Sequence, residues 1–487
     1  MLIELLILMP LLLALLFYFL NGRHWVEMLT VVASFASFII AIMIGVDVAG
    51  NGPISYWLWY IDSLSVFMLG IITFVSLIVS VYSVSYIGHD YSEREIGISQ
   101  VKMYYILLQL FIMSMLVVVM SNNLGVMWIA IEGTTLASTF LVGFYEKDTS
   151  LEAAWKYIII CSVGIALALF GTVLTYASSI EVLGESSDAL NWTTLRDIAP
   201  LLDPTFLKIA FIFIVVGYGT KVGLVPMHTW LPDAHSQAPS PISALMSGVL
   251  LNCAFYGIIR FFIITEIRVP GFAPDIMLIF GLLSLIVAAS FIMIAKDFKR
   301  LLAYSSIEHM GIVCLGFGLG GFLGIFGALF HMLNHSLTKC MMFIGAGNIL
   351  QKFNTRAIDE VKGVATVMPI TGAVFLLGAL AITGSPPFGA FLSEVIIMQA
   401  GINSGSYLIV ALYIALLVIV FAGFMYHVTK MVFGNPTEGV SKGEIHKFSL
   451  VPMLVLLVMV LVIGVFMPAE LTDFLEDVAR IVPGGSP

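Results

Sequence analysis

The sequence predicts an all-α integral membrane protein of about fourteen transmembrane helices, and three observations carry that prediction. The 487 residues are 60% hydrophobic and 10% charged, with a mean hydropathy of +1.06, outside the range of an ordinary soluble domain. Apolar runs of about 20 residues, the length that crosses a bilayer as a helix, recur along the whole chain. Lys and Arg also segregate. If the runs alternate in direction, Arg23, Arg94, Lys102, Lys147, Lys296, Lys299, Arg300, Lys352, Arg356, Lys362, Lys430, Lys442 and Lys447 gather on one side. The other side collects Arg196, Lys208, Arg268 and Arg480. The positive-inside bias places the first set in the cytoplasm and both termini on the outer side of a bacterial or archaeal inner membrane.

The runs begin near residues 2, 27, 64, 103, 122, 151, 206, 241, 274, 301, 321, 365, 404 and 448. The first has no basic leader and no small-residue cleavage signature before Arg23, so it reads as a retained span. Residues 1–102 hold spans one to three. Spans four to eight (103–265) and nine to thirteen (266–435) pair as two inverted five-helix repeats, because each set contains one span interrupted by helix breakers. Gly217, Gly219, Gly223 and Pro226 surround Lys221 in span seven, while Gly384, Pro386, Pro387 and Gly389 precede Glu394 in span twelve. Broken backbone at membrane depth is tolerable only where it is buried in protein or lines water. A matched pair of such spans points to inverted repeats around a central site. The longest non-apolar stretch, about residues 179–205 with Glu181, Glu185, Asp188 and Asn191-Trp192-Thr193, reads as an ordinary outer loop. Residues 436–487 hold span fourteen and a short tail, in which Leu471, Phe474, Leu475, Val478 and Ile481 have the spacing of an interfacial helix.

Composition excludes several functions. A formal charge of −9 offers no basic face for nucleic acid. Cys161, Cys253, Cys314 and Cys340 all fall inside apolar runs, without the spacing of an iron–sulfur, zinc or redox motif. No cofactor and no metal is expected on this chain.

The ionisable residues inside the apolar runs are the functional signal. Glu132, Lys221, His331, His335, Lys339 and Glu394 lie near the middle of their spans, where a charge costs roughly 2.5–3.5 kcal/mol, so such groups pair, line water or carry ions. Lys221 is the natural partner of Glu132, either as a movable switch or as a fixed structural pair. His331, His335 and Lys339 recur at i, i+4 and i+8, on one helical face with about 6 Å between neighbours. That spacing suits a proton relay, since imidazole accepts on one nitrogen while donating from the other; a haem or metal site is the weaker alternative. Supporting candidates are Lys156, which can also snorkel to the surface, and His228, Asp233 and His235, which either feed protons or cap the broken helix. Asn252 can hold water but carries no charge. Glu308 and His309 are weaker cases of the same type, and Arg260 is better suited to a fixed structural charge than to a relay.

These residues sit in segments with a family likeness. Residues 219–235, Gly-Thr-Lys-Val-Gly-Leu-Val-Pro-Met-His-Thr-Trp-Leu-Pro-Asp-Ala-His, followed by Ala238-Pro239-Ser240-Pro241, resemble the signature of the antiporter-like subunits of respiratory complex I. Arg300-Leu301-Leu302-Ala303-Tyr304-Ser305-Ser306, the run from His331 to Lys339, and Ser385-Pro386-Pro387-Phe388 share that affinity. The segments at 132–138 and 150–161 look most like component F of hydrogenase 4, among the group 4 membrane-bound hydrogenases and formate hydrogenlyases. The resemblance implies a non-redox, proton-translocating membrane subunit of a complex I-like, hydrogenase-linked oxidoreductase. Its implied partners are other membrane subunits and a peripheral arm with iron–sulfur and nickel–iron subunits. The resemblance also makes Glu132 and Lys221 the paired charges of a first half-channel, His331, His335 and Lys339 the central axis, and Glu394 the terminal charge. Asn252 departs from that pattern, because many complex I relatives carry Lys or His there. A sodium/proton antiporter module and a non-pumping membrane anchor are the alternative readings.

Overall fold

The computed structural model describes residues 2–20, 22–184, 186, 188–436, 439–445 and 447–486; Glu185 of the outer stretch lies outside them. The elements run α1 (Leu2–Phe19), α2 (Arg23–Asn51), a hairpin of β1 (Ile54–Tyr56) and β2 (Trp59–Ile61), α3 (Ser63–Ser92), α4 (Ile98–Met120), α5 (Leu124–Val142), α6 (Asp148–Leu183) and α7 (Trp192–Asp197). They continue with α8 (Pro204–Val222), α9 (Trp230–Gln237), α10 (Ser240–Leu245), α11 (Leu251–Arg268), α12 (Phe272–Met293), α13 (Phe298–Leu319) and α14 (Gly321–Phe353). The last are α15 (Val364–Val367), α16 (Pro369–Ile382), α17 (Gly389–Asn403), α18 (Tyr407–Phe433), α19 (Leu450–Val465) and α20 (Ala469–Arg480).

Among the described residues twelve helices, α10 and α11 counting as one, are individually long and apolar enough to cross a membrane. The expected fourteen needs two more crossings. Those would come from α14, whose 33 residues carry the histidines and lysine, and from α16 and α17, of 14 and 15 residues, which are too short singly. Helix starts follow local chemistry. Asp62, Asn123, Asp203 and Asp297 each accept backbone N–H bonds at the first turns of α3, α5, α8 and α13, which satisfies donors that a helix leaves orphaned.

The helices form a layered bundle whose middle is α10–α11, α13 and α14. The most apolar window of residues 240–268 is wholly buried, whereas those of α1 and α18 are 28% buried. Outer helices turn Leu12, Val163 and Val418 outward, as lipid-facing surfaces do. Both expected breaks are present, between α8 and α9 and between α16 and α17. A third irregularity, unmarked by Gly-Pro pairs, is a π-helical turn at Met246–Leu250 joining α10 to α11.

Two sequence expectations are corrected at one end of the bundle. The stretch read as an ordinary loop packs into the protein: Trp192 is 2% exposed and its indole N–H donates to Arg260 O at 2.9 Å. Arg260 in turn makes a two-pronged ion pair with Asp62, both N–O distances 2.7 Å. Its guanidinium lies 4.3 Å from the Trp192 ring and 4.8 Å from that of Tyr256. Arg260 is thus a structural charge, as expected, but bound to a carboxylate rather than to headgroups. The amphipathic tail forms as α20, and it buries Leu475, Val478 and Ala479 against α3 and α14 instead of lying free at an interface.

Candidate functional site

The first cluster forms where α8 stops. Gly223 adopts a left-handed conformation, φ 85°, and its N–H caps α8, a geometry glycine adopts without a Cβ penalty. The helix therefore ends one residue after Lys221 and leaves its side chain at a junction with α5 and α6. Lys221 is fully buried; its ammonium donates to Thr135 Oγ1 at 2.8 Å and to the Tyr157 hydroxyl at 2.5 Å. Tyr157 also meets Ser138 Oγ at 2.7 Å, and its ring packs on Trp230 with 4.6 Å between centroids.

The expected Glu132–Lys221 ion pair is not formed. Glu132 is half-buried; one oxygen accepts from Ser162 at 2.9 Å, and the other is buried without a partner. The two residues still share a helix face, because Thr135, which holds Lys221, stands one turn from Glu132 on α5. A lysine moved from Thr135 to Glu132 would exchange a neutral hydroxyl for a carboxylate.

The second cluster lies between α13, α14 and α17. His331, His335 and Lys339 are buried on α14, but their contacts do not run straight along that helix. His331 Nε2 bonds His309 Nδ1 of α13 at 2.8 Å, and the His309 ring is 5.3 Å from that of His335. His309, a supporting candidate by sequence, therefore bonds one α14 histidine and lies in ring contact with the other, whose two nitrogens have no bonded partner. The other ring nitrogen of His331 bonds Ser393 at 2.9 Å, and Glu394 is the next residue. Gly384, in the break between α16 and α17, leaves the room that the Glu394 carboxylate fills, since a Cβ there would overlap it. Lys339 donates to Leu302 O at 2.8 Å. Glu308, beside His309, keeps one buried oxygen without a partner.

The remaining candidates divide. Asn252 bonds Ser336 Oγ at 2.8 Å and Met332 O at 3.3 Å, so its amide ties α11 to α14 between the histidine turns, and its carbonyl oxygen is left unpartnered. His235 is buried, stacked on Phe343 at 5.0 Å, with neither ring nitrogen bonded. His228 is half-buried in the turn after α8. Lys156 and Asp233 belong to the surface: Lys156 pairs with Glu152 at 2.6 Å and Asp233 at 3.3 Å, and Asp233 pairs with Arg300 at 2.6 Å. Lys156→Ala is expected to leave both the fold and transport unchanged, because exposed ion pairs contribute little to stability. A loss of transport with an intact fold, measured in vesicles, would return Lys156 to the path.

Sequence reasoning missed two groups here. Tyr157 looked like one more aromatic in an apolar run. Lys299 was counted among the surface charges because it begins a span beside Arg300, yet it is fully buried and donates to Ala238 O at 2.5 Å.

Comparisons agree with this architecture. The profile of the family described as NADH:quinone oxidoreductase/Mrp antiporter, TM, matches residues 121–420. That described as NADH-Ubiquinone oxidoreductase (complex I), chain 5 N-terminus, matches residues 55–94. A hydrogenase-4 component F homolog of Methylacidiphilum infernorum is 38% identical over 87% of this chain and 88% of its own length. Hydrogenase-4 component B of Escherichia coli is 32% identical over 68% of this chain, which spans only 49% of that longer protein. Among solved structures, a chain of the archaeal membrane-bound sulfane sulfur reductase superposes with a TM-score of 0.87 at 23% identity, covering 99% of this chain and 98% of its own. One from Thermus thermophilus respiratory complex I gives 0.79 at 20%, covering 97% and 98%. With well over half its residues matched by the first profile and a relative alike along nearly its full length, the chain belongs to the NADH:quinone oxidoreductase/Mrp antiporter transmembrane family.

Proposed function

We propose that this chain is the proton-translocating membrane subunit of a complex I-like, hydrogenase-linked redox complex, with the electron chemistry in partner subunits. One observation carries the reading: His309, His331 and Ser393 form a continuous hydrogen-bonded chain in the buried centre that ends beside Glu394. Each imidazole in such a chain can take a proton on one nitrogen and release it from the other. The Lys221 cluster supplies a cation on one side of this chain, and Glu394 an acceptor on the other. Glu132, Lys221, the α13–α14 histidines, Lys339 and Glu394 are the path; His228, His235 and Asn252 support it.

Fourteen crossings follow if α14 and the α16–α17 pair each span the membrane, and the charge segregation then sets both termini outside the inner membrane. Residues 103–265 and 266–435 form the two inverted repeats. In that pairing α13 is the counterpart of α5, and Glu308 the counterpart of Glu132. The redox partners carry iron–sulfur and nickel–iron centres by analogy with the hydrogenase-4 relatives.

The test is redox-driven acidification of inverted membrane vesicles containing the complex, followed with a pH-sensitive dye. Acidification is expected at the same rate with and without sodium. Acidification that requires sodium, or sodium uptake that survives a protonophore, would replace the proton reading with that of a sodium/proton antiporter module. Copurified subunits identify the redox arm.

A further inference from the structure

A polar cavity of about 780 Å³ opens among the C-terminal ends of α3, α9 and α14 and the first turn of α6, on the face where Arg94, Lys147 and Lys352 cluster. None of the path residues above lines it. Asp90 forms part of its wall and is 3% exposed. One carboxylate oxygen accepts from the Tyr145 hydroxyl at 2.7 Å and the other from Gln351 Nε2 at 2.8 Å. Both donors are neutral, so neither is left as a stranded buried charge when the carboxylate takes up a proton.

Polar groups continue inward from this carboxylate. The Tyr145 hydroxyl has a second neighbour, the Tyr86 hydroxyl, at 3.4 Å. One helical turn deeper, the Tyr82 hydroxyl reaches Asn348 Oδ1 and Ile344 O, each at 3.1 Å. Beside it at Gly347 lies the Ser240 hydroxyl, fully buried. Tyr82, Tyr86 and Asp90 stand at i, i+4 and i+8 on one face of α3. Ile344 is five residues from Lys339, about 8 Å along α14.

We propose that Asp90 collects protons from this cavity and delivers them toward Lys339, a role that rests on the proton-transfer reading above. Hydronium in the cavity gives its proton to the Asp90 carboxylate and becomes water. The carboxylic acid passes that proton to the Tyr145 oxygen as the Tyr145 hydroxyl proton moves to the Tyr86 oxygen. The Tyr86 hydroxyl proton leaves inward through water toward Ser240 and Tyr82. Every oxygen recovers its starting state, Asp90 returns to carboxylate, and no electron moves. The other titratable groups on the cavity wall are His89, Glu93, Glu95, Lys147 and Arg356, with Tyr86 and Tyr145 inside it.

The experiment compares Asp90→Asn, Asp90→Glu, Tyr145→Phe and Lys221→Ala in the intact complex, in inverted vesicles whose outer face carries the cavity. Asp90→Asn is expected to slow redox-driven proton uptake by about a hundredfold or more, the range of a positioned acid–base group. Added acetate, a small weak acid able to enter the cavity, is expected to restore much of the rate, and Asp90→Glu to retain it. Wild-type uptake in Asp90→Asn, or a slowed uptake that acetate leaves unchanged, overturns the proposal. Should Asp90→Asn fail to assemble, Tyr145→Phe decides: slowed uptake that Asp90→Glu does not share supports the relay, and an unchanged rate overturns it. Lys221→Ala separates the two levels. If it uncouples while Asp90→Asn does not, only the collecting site falls; if both pump normally, the proposed function falls with it.

Discussion

Lys221→Ala is expected to leave the complex assembled and its electron transfer running, but to slow proton movement by two orders of magnitude or more, the scale of a positioned acid–base group, and so to lower the protons moved per electron. The reason is geometric. Lys221 is the fully buried cation of the first cluster, and its ammonium is poised on Thr135 and Tyr157, one turn from Glu132. Removing it leaves Tyr157 bonded to Ser138 and Thr135 bonded within its helix, so the surroundings stay satisfied and the fold survives. Glu132→Gln tests the same step from the other side, because the amide keeps the Ser162 contact and loses the charge. The measurement is dye-reported acidification against substrate consumption in one vesicle preparation. An unchanged ratio in both variants would sink the proton-path assignment; failure to assemble in both would favour a non-pumping anchor.

Asp62→Asn is expected to destabilise the protein by about 3–5 kcal/mol, the cost of stranding one half of a buried ion pair. Arg260 and Asp62 are 3% exposed each, and the guanidinium is enclosed by Trp192 and Tyr256. Arg260→Lys should be nearly as damaging, because an ammonium cannot make the two-pronged contact. Replacing both partners together, as in Asp62→Leu with Arg260→Met, should recover much of the loss, since a buried pair exchanged for apolar groups of similar volume is often neutral. Thermal unfolding in detergent reads all three. A double variant no better than the singles would mean that the pair also organises the outer loop through Trp192.

The membrane class and the positions of both breaks were legible because they rest on composition and on glycine and proline, which act locally. The buried ionisable residues were legible for the same reason, since a charge within an apolar run stands out in one dimension. What could not be read was which of them touch. Spacing along α14 arranged His331, His335 and Lys339 in a row, yet the bonded partner of His331 comes from α13, and only packing between helices brings His309 there. The Glu132–Lys221 pair was inferred from opposite charge alone, while neutral hydroxyls on α5 and α6 hold the lysine instead. Lys299 and Trp192 were misplaced because polar flanks made them resemble surface and loop. Glu308 had an available signal, as the matched position to Glu132 if the repeats are superposed.

The π-helical turn between α10 and α11 sets the phase of everything downstream. A π turn accommodates an extra residue relative to the α-helix, and one residue is worth about 100° of rotation. Asn252, Tyr256 and Arg260 follow at four-residue intervals, and each makes its bond from the same face: to α14, to Ser65 and Val119, and to Asp62. Excising one residue from Met246–Leu250 would swing all three away at once, loosening the tie to the histidine helix and the clamp at Asp62 together. Length in this five-residue segment therefore sets which way all three side chains point.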